Sequence, residues 1–387
     1  MTFQQQLRIP GPSPLPERVI RAAAKPMIDH RGPEFAELLT DVTAGLKRVF
    51  ETDNDLVLLT SSGSGGLESA VANLVSPGDK VVCCVCGNFG ERFAGLADAF
   101  GCRVVRLEAE WGQPIDPDDL SHVLSANPDA GVVFITHNET STALTNNLPA
   151  LSRVVREHGR LSVVDGVSSI ASMPIEVNAL GLDVAVSASQ KGWMAPPGVA
   201  FVSISQRAWE FQARARSPRY YFDWAEAKKQ LAAGSTPFTP AISVIYGLQE
   251  GILMLEEEGL ANVYARHRRL ATATAAGLAE LGFGLFAAEG FRSATVTGAV
   301  AMAGLDVAAF RTLLRERYGL VIAGGQGRMT GKMVRVGHLG FVNDGDVVQG
   351  LWAMENALDE LDIAPADGRA LAAAARHLAG EPAGAAV

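Results

Sequence analysis

From residue 55 to about residue 205, short apolar runs alternate with longer amphipathic stretches. The short runs are rich in valine and too brief for helices, so each predicts a strand. The predicted strands are LVLLT (56–60), KVVCCVC (80–86), RVVRLE (103–108), GVVFIT (131–136), LSVVDG (161–166), VAVSAS (184–189) and GVAFVSI (198–204). Helix-like stretches separate most of them: GLESAVANLV (66–75), ERFAGLADAFG (91–101) and LPALSRVVREHG (148–159). Almost wholly apolar strands alternating with helices are typical of a doubly wound α/β domain with a mostly parallel sheet.

The pattern changes after residue 205. Helices are predicted at 241–258, 260–281, 306–318 and 344–361, and strands at 293–301, 319–324 and 333–340. This mixture predicts a second, smaller α+β domain. The expected division is an N-terminal arm (1–15), a large α/β domain (16–255), a small C-terminal domain (256–365) and a tail (366–387). The tail is rich in Ala and Gly and is expected to be mobile, although 371–378 could form a short helix.

Composition narrows the class of protein. Of 387 residues, 48% are hydrophobic and 19% charged, which is ordinary for a soluble globular protein with a large core. The net charge is −9 and no run of basic residues exceeds two, so a nucleic-acid partner is not expected. No apolar stretch reaches the roughly 18 residues of a membrane span. The first residues, MTFQQQLRIPGPSP, lack the order of a signal peptide, so a cytoplasmic location is expected.

The four cysteines are Cys83, Cys84, Cys86 and Cys102. Cys83 and Cys86 form a C-x-x-C pair, which invites a metal or redox interpretation. They lie within a predicted buried strand, however, whereas a redox pair favours a helix N-terminus and a structural zinc site needs a second pair of ligands. We interpret them as small buried apolar side chains and expect no metal site.

Ligands of doubly wound sheets bind beyond the carboxyl ends of the strands, and three predicted strand ends carry unusual residues. The first is LVLLTSSGSGGLESAV, in which a strand ends at Thr60 and a helix begins near Gly66. A glycine-rich loop before a helix N-terminus offers free N–H groups to an anion. Ser62, Gly63 and Ser64 are placed to hold a phosphate, although a serine-rich helix cap without any ligand would look the same.

The second strand end is LSVVDGVSSI, in which Asp165 follows an apolar strand. A buried carboxylate must be paired or hydrogen-bonded, because leaving it alone is costly. A cationic ring nitrogen would be a functional partner. On local grounds, an aspartate that caps the next helix is about equally compatible with the pattern.

The third strand end is VAVSASQKGWMAPPG, in which Lys191 follows a strand without charge and precedes a turn rich in Gly and Pro. A desolvated lysine has a lowered pKa and can attack a carbonyl. The alternative is a lysine whose amine extends from the strand end to solvent. An anion site, a ring-facing acid and a carbonyl-binding lysine are together what pyridoxal 5'-phosphate requires.

From about residue 10 to 361, the chain resembles fold-type I enzymes, and within them the class V aminotransferases of the alanine–glyoxylate and serine–glyoxylate type. The most specific stretch is SASQKGWMAPPG, which is similar to the family's S-x-S-Q-K-x-x-x-x-P-P-G around the cofactor lysine. PGPSPLPERV, THNETSTAL, VVDGVSSI and TGKMVRVGHLG support it. The resemblance implies that Lys191 is the Schiff-base lysine and that Asp165 is the partner of the pyridine nitrogen. It implies that the phosphate contacts come from Ser62, Gly63, Ser64 and Gln190.

The resemblance also implies that Phe89 stacks on the cofactor ring, where many members have Trp, and that Thr140 lies near the ring hydroxyl. Arg335 matches the arginine that grips the substrate carboxylate. Thr239 matches a residue that reaches the phosphate from the neighbouring subunit, which implies a homodimer with shared active sites. Residue 64 is Ser where some members have His, and residue 236 is Thr where some have Tyr, and both differences bear on substrate preference.

The expected reaction is transamination from a small amino acid, serine or alanine, to glyoxylate or pyruvate. Within the enzymes, the alternative is a transaminase or lyase for another amine, such as an aminophosphonate, ureidoglycine or a biosynthetic intermediate. A cysteine desulfurase is disfavoured, because such enzymes need a catalytic cysteine late in the chain and none follows Cys102. The hypothesis from a different class is a non-catalytic member retained as a subunit of a larger assembly.

Overall fold

The structure is a computed structural model and describes residues 5–379. Its helices are α1 (Glu17–Ala23), α2 (Pro33–Phe50), α3 (Gly63–Leu74), α4 (Asn88–Ala99), α5 (Pro117–Ala126), α6 (Leu148–Glu157), α7 (Gln206–Arg214), α8 (Trp224–Ala232), α9 (Ile242–Glu258), α10 (Leu260–Glu280), α11 (Val307–Arg317), α12 (Asp344–Glu360) and α13 (Arg369–Leu378). Its strands are β1 (Gln6–Arg8), β2 (Asp55–Thr60), β3 (Lys80–Val85), β4 (Arg103–Glu108), β5 (Ala130–Thr136), β6 (Asn138–Glu139), β7 (Leu144–Thr145), β8 (Leu161–Asp165), β9 (Val184–Ala188), β10 (Val199–Ile204), β11 (Gly284–Leu285), β12 (Val296–Val300), β13 (Leu320–Gly324) and β14 (Met333–Gly337).

The larger sheet has seven strands in the order β2-β10-β9-β8-β5-β3-β4. The five strands from β9 to β4 run parallel, and β10 runs antiparallel to both of its neighbours. Central strands such as β8 and β9 are buried at every residue, because separate hydrophobic clusters cover the two faces of the sheet. The predicted mostly parallel α/β fold is confirmed.

Helix α2 shows how the sequence builds one of these covering layers. Gly32 precedes it in an extended conformation, and Pro33 occupies the first turn, where a missing N–H costs nothing. Buried side chains recur three and four residues apart along one face, which packs into the core: Phe35, Leu38, Leu39, Val42, Leu46, Val49 and Phe50. The helix thus buries one face and leaves its polar face to solvent.

A second, five-stranded sheet has the order β1-β13-β14-β12-β11 and its own hydrophobic cluster with α10, α11 and α12. Its first strand comes from the predicted N-terminal arm: residues 6–8 pair in parallel with residues 320–322. The predicted domain boundary between residues 255 and 256 falls in the last turn of α9 and stays a prediction. In the predicted tail, Arg369–Leu378 forms a helix that packs against α10, so this part is ordered, and residues 380–387 lie outside the described residues.

Within residues 5–379, no helix is both long and apolar enough to cross a membrane. The predicted interpretation of the cysteines agrees with their positions: Cys83, Cys84 and Cys86 are buried, and Cys102 is partly buried. Burial raises the pKa of the Cys86 thiol to about 12, so it remains protonated and unreactive near neutral pH.

Candidate active site

The three predicted strand ends meet at one cavity of about 230 Å³. It lies at the carboxyl edge of the larger sheet, where the loops after β2, β3, β5, β8 and β9 converge. Its lining includes every residue that was predicted to contact the cofactor from within one subunit: Ser62, Gly63, Ser64, Phe89, Thr140, Asp165, Gln190 and Lys191. The structure also places Leu67, Arg92, Asn138, Val167 and Ser168 in this lining, which the sequence did not predict.

The first turn of α3 forms one end of the cavity. The helix begins at Gly63, three residues before the predicted start at Gly66, so the serines belong to the helix terminus itself. Ser62 occupies the N-cap position in an extended conformation, but its side chain makes no capping hydrogen bond. The serine-cap alternative therefore fails, and the N–H groups of the first turn remain available to an anion.

Gln190 supplies an independent observation that a polar ligand belongs here. It lines the same cavity, and its Oε1 is buried without a hydrogen-bond partner among residues 5–379. A buried polar atom without a partner destabilises a fold by about 1–3 kcal/mol. The unpartnered atom is an acceptor and needs a donor. With the amide turned by about 180°, the same position presents an NH2 group that can donate to a phosphate oxygen.

Asp165 ends β8 and is buried. Its Oδ1 accepts a hydrogen bond from Val167 N (3.0 Å), so the aspartate holds the turn that follows, but residues 167–172 form turns rather than the helix that the alternative interpretation expected it to cap. Its other oxygen has no such partner among the described residues. Burial raises the pKa of this carboxyl to about 6, partly offset by the Val167 N–H and by Lys191. A cationic group that entered the cavity would stabilise the charged form.

Lys191 turns inward rather than to solvent, because its Nζ donates to the carbonyl of Pro10. Burial lowers the pKa of its amine to about 8, and the positive charges of Arg335 and Arg92 act in the same direction. The negative charge of Asp165 raises the pKa of the same amine, so the two groups interact electrostatically. A lysine with this pKa is a usable nucleophile near neutral pH.

Phe89 is the second residue of α4 and lines the cavity. Glu139 fixes that helix terminus: its buried carboxylate accepts hydrogen bonds from Phe89 N (3.0 Å) and Gly90 N (2.9 Å). Arg92, one turn further along α4, lies over the Phe89 ring at 4.7 Å and donates to Ser64 Oγ (3.2 Å). Glu139 and Arg92 were not among the predicted site residues, although both lie in or beside quoted motifs.

Thr140 and Ser168 also line the first cavity, and a hydrogen bond joins their side chains. Thr140 Oγ1 donates to Ser168 Oγ (2.9 Å), and Asn138 Nδ2 donates to the same oxygen (2.8 Å). This network holds the loops after β5 and β8 together beside Asp165.

Arg335 lies on β14 of the smaller sheet and is 5% exposed. It does not line the first cavity but an adjoining one of about 410 Å³, which Lys191, Phe89 and Thr140 also line. Arg335 Nε donates to Gly324 O (2.9 Å) and Nη1 donates to Thr140 O (3.1 Å). Arg335 is therefore neither a surface residue nor on an edge strand, and its guanidinium lies beside the predicted cofactor site.

Thr239 is exposed and does not line either cavity. Its predicted contact comes from a neighbouring subunit, so its role stays a prediction. Thr236, the other position that differs from part of the family, bonds locally, with Oγ1 donating to Phe238 O (2.8 Å).

The family model described as "Aminotransferase class-V" matches residues 8–349. The "Soluble hydrogenase 42 kDa subunit" of Anabaena cylindrica is 42% identical, over 93% of this chain and 95% of that protein. A serine–glyoxylate aminotransferase of Methylorubrum extorquens is 35% identical, over 98% of this chain and 97% of that one. A solved alanine–glyoxylate aminotransferase from Nostoc sp. is 30% identical with a TM-score of 0.89, over 92% of this chain and 96% of that one. The chain therefore belongs to the class V aminotransferases, the family of pyridoxal 5'-phosphate enzymes that its three strand ends resemble.

Proposed function

We propose that this chain transfers an amino group from a small amino acid, serine or alanine, to glyoxylate or pyruvate. The observation that carries the proposal is the convergence of Lys191, Asp165 and the uncapped terminus of α3 on one cavity, with Arg335 beside it. The serine–glyoxylate and alanine–glyoxylate relatives support the choice of substrates.

The residues of the cavity fit the cofactor from end to end. Ser62, Gly63, Ser64 and Gln190 would hold its phosphate, and Phe89 would stack on its ring. Asp165 would keep a proton on the pyridine nitrogen, and Thr140 would lie near the ring hydroxyl. When bound, pyridoxal 5'-phosphate supplies an electron-accepting pyridinium ring to an amino acid that is losing its Cα proton.

Lys191 has two tasks in this arrangement. Its amine would hold the cofactor through the aldehyde group, and as a free base it would accept the proton from the substrate Cα and return it later in the transfer. Arg335 binds the substrate carboxylate from the adjoining cavity. Because Lys191 lines both cavities, the proton acceptor lies between the cofactor and the substrate.

We expect the reactivity of Lys191 to rise with pH around a midpoint near 8, because only the neutral amine is nucleophilic and burial lowers its pKa to about 8. The measurement is acylation of the cofactor-free protein at several pH values, with peptide mapping to quantify each lysine. Lys229 is exposed and serves as the reference in the same sample. A midpoint for Lys191 no lower than that of Lys229 would contradict a desolvated amine.

Arg335→Lys should lower kcat/KM for amino acids by roughly 30-fold to several thousandfold. A guanidinium can present two parallel donors to a carboxylate, which an ammonium cannot reproduce. Breaking one side of a buried charge pair costs about 2–5 kcal/mol. Steady-state kinetics with serine and alanine measures the effect.

An amine without a carboxylate is the internal control for Arg335→Lys, because its half-reaction should hardly change. If the variant slowed both kinds of substrate equally, or neither, Arg335 would not be the carboxylate site. A donor without an α-carboxylate would then be the better proposal.

A panel of amino donors against glyoxylate and pyruvate, followed by the spectra of each half-reaction, tests the proposed reaction. Serine or alanine with glyoxylate should give the highest kcat/KM among neutral donors. Preference for an aminophosphonate, ureidoglycine or another amine would instead select the alternative transaminase.

The homodimer and the cytoplasmic location also belong to this proposal. Exposed Thr239 lies outside the cavity of its own chain, as a residue that serves a neighbouring subunit would. Sedimentation of the purified protein tests the dimer directly, and a monomer that retains full activity would rule out shared active sites.

A relative named as a hydrogenase subunit favours a second candidate, a non-catalytic subunit of a larger assembly. Lys191, Asp165 and Arg335 are all present and close together, which supports a catalyst. The colour of the purified protein separates the two candidates. A catalyst is yellow with its cofactor and changes spectrum when an amino acid is added, whereas a purely structural subunit does not respond.

A further inference from the structure

The cavity beside the cofactor site has an unbalanced charge. Among residues 5–379, its lining contains three cationic side chains, Lys191, Arg311 and Arg335, and neither an aspartate nor a glutamate. Binding of the α-carboxylate and attachment of the cofactor account for Arg335 and Lys191. Arg311 has no task in the proposed reaction.

Arg311 lies on α11 and reaches the same strand that anchors Arg335. Its Nε donates to Ile322 O (3.1 Å), while Arg335 Nε donates to Gly324 O (2.9 Å). Carbonyls two residues apart lie on the same side of a strand, roughly 7 Å from each other. The two guanidinium groups are therefore held side by side along β13 by backbone acceptors.

Gly324 makes room for this arrangement. A Cβ on residue 324 would lie only 3.0 Å from Arg311 Nη1, which is closer than ordinary contact. A side chain at residue 324 would therefore crowd the Arg311 guanidinium at the end of β13 and force it to shift by a few tenths of an ångström.

The terminal nitrogens of Arg311 remain available to a ligand. In the described part of the chain they make no hydrogen bond, and Arg311 forms no ion pair. Burial lowers the pKa of Arg335, Glu139 raises it, and the positive charge of Arg311 lowers it further, as expected of two like charges lying close together. The Glu139 carboxylate is already bound to the N–H groups of α4 and gives Arg311 no partner. Two like charges held together in this way favour an anion between or beside them.

We propose that Arg311 binds a second carboxylate, on the side chain of the amino donor, so that the chain also accepts dicarboxylic amino acids. The inference rests on the proposed transamination and extends its donors from neutral to acidic amino acids. Arg335 holds the α-carboxylate while Arg311 holds the carboxylate at the other end of a short chain. Both arginines line the same cavity, so one donor that enters it can contact both guanidinium groups.

The test compares isosteric donors, aspartate with asparagine and glutamate with glutamine, as ratios of kcat/KM for the purified holoenzyme. For whichever of aspartate and glutamate reacts faster, the wild-type kcat/KM should exceed that of the matching amide by about 10- to 100-fold. This is the range for a hydrogen bond between charged partners. Arg311→Gln should bring this ratio close to one. Arg315→Gln removes the same charge one turn along α11 but outside this cavity, and should leave the ratio unchanged.

Each outcome decides the matter. A wild-type acid-to-amide ratio near one overturns the inference, and this measurement needs no variant to fold. An equal loss of the ratio in the Arg311 and Arg315 variants overturns it as well. Serine and alanine report on the proposed function separately. If they react while aspartate is no better than asparagine, only the role of Arg311 fails, and if no amino acid reacts, the transamination itself is wrong.

Discussion

Lys191→Ala should lower transaminase turnover by at least about ten-thousandfold while leaving a folded protein. The substitution removes both the covalent anchor of the cofactor and the group that moves the proton, and positioned acid–base catalysis alone contributes about 10²- to 10⁴-fold. In the part of the chain that the structure describes, the side chain makes one hydrogen bond, to Pro10 O, so its loss disturbs few contacts. Turnover with the best donor and acceptor pair is the measurement.

Lys229→Ala is the matched control, because it removes a lysine from an exposed position in the same chain. It should retain full activity, and both variants should give the same circular dichroism spectrum as wild type. Retention of more than a tenth of the activity in Lys191→Ala would show that another residue performs both tasks.

Asp165→Asn should slow removal of the Cα proton on the order of a thousandfold while leaving much of the cofactor bound. Asparagine can still accept the hydrogen bond from Val167 N, so the turn after β8 is preserved. What it loses is the negative charge that keeps the pyridine nitrogen protonated. The substitution therefore separates the charge of Asp165 from its local structural role.

Stopped-flow measurement of the first half-reaction follows this step directly. The phosphate end of the site is untouched, so the affinity for the cofactor should fall far less than the rate. A rate within tenfold of wild type would assign Asp165 to the turn alone.

The sequence predicted the larger sheet well because its strands are short, mostly buried and largely separated by amphipathic helices. RVVRLE at 103–108 coincides with β4, and LSVVDG at 161–166 exceeds β8 by one residue. The site followed from the fold, since polar residues at the ends of apolar strands have to meet at one edge. Asp165 and Lys191 stand at such strand ends, so the sequence could put them forward as candidates, and their catalytic roles stay predictions.

Features that depend on tertiary contacts could not be predicted. Gln6–Arg8 is too short to show a period, and becomes a strand only because β13 offers it an edge. Arg92 and Arg311 occupy polar positions on amphipathic helices, and only packing shows that both guanidinium groups reach a cavity. Glu139 was passed over because the helix terminus that it holds lies 50 residues away along the chain.

The start of α3 illustrates a subtler limit. Small residues at 62–66 give no periodic signal, so the helix was predicted to begin at Gly66 instead of Gly63. Glycine at residue 66 is required by packing, because a Cβ there would lie 2.8 Å from a methyl group of Val186. The same lack of side chains that brings α3 against the sheet therefore hides its first turn from sequence analysis.

We propose above all that Lys191 holds the cofactor covalently in the cavity that it lines together with Asp165. Borohydride reduction of the holoenzyme, followed by peptide mapping with mass spectrometry, tests it without depending on any substrate. We expect one cofactor adduct per chain on the peptide containing Lys191, and none on the six other lysines. An adduct on another lysine, or a holoenzyme that reduction leaves unlabelled, would contradict it.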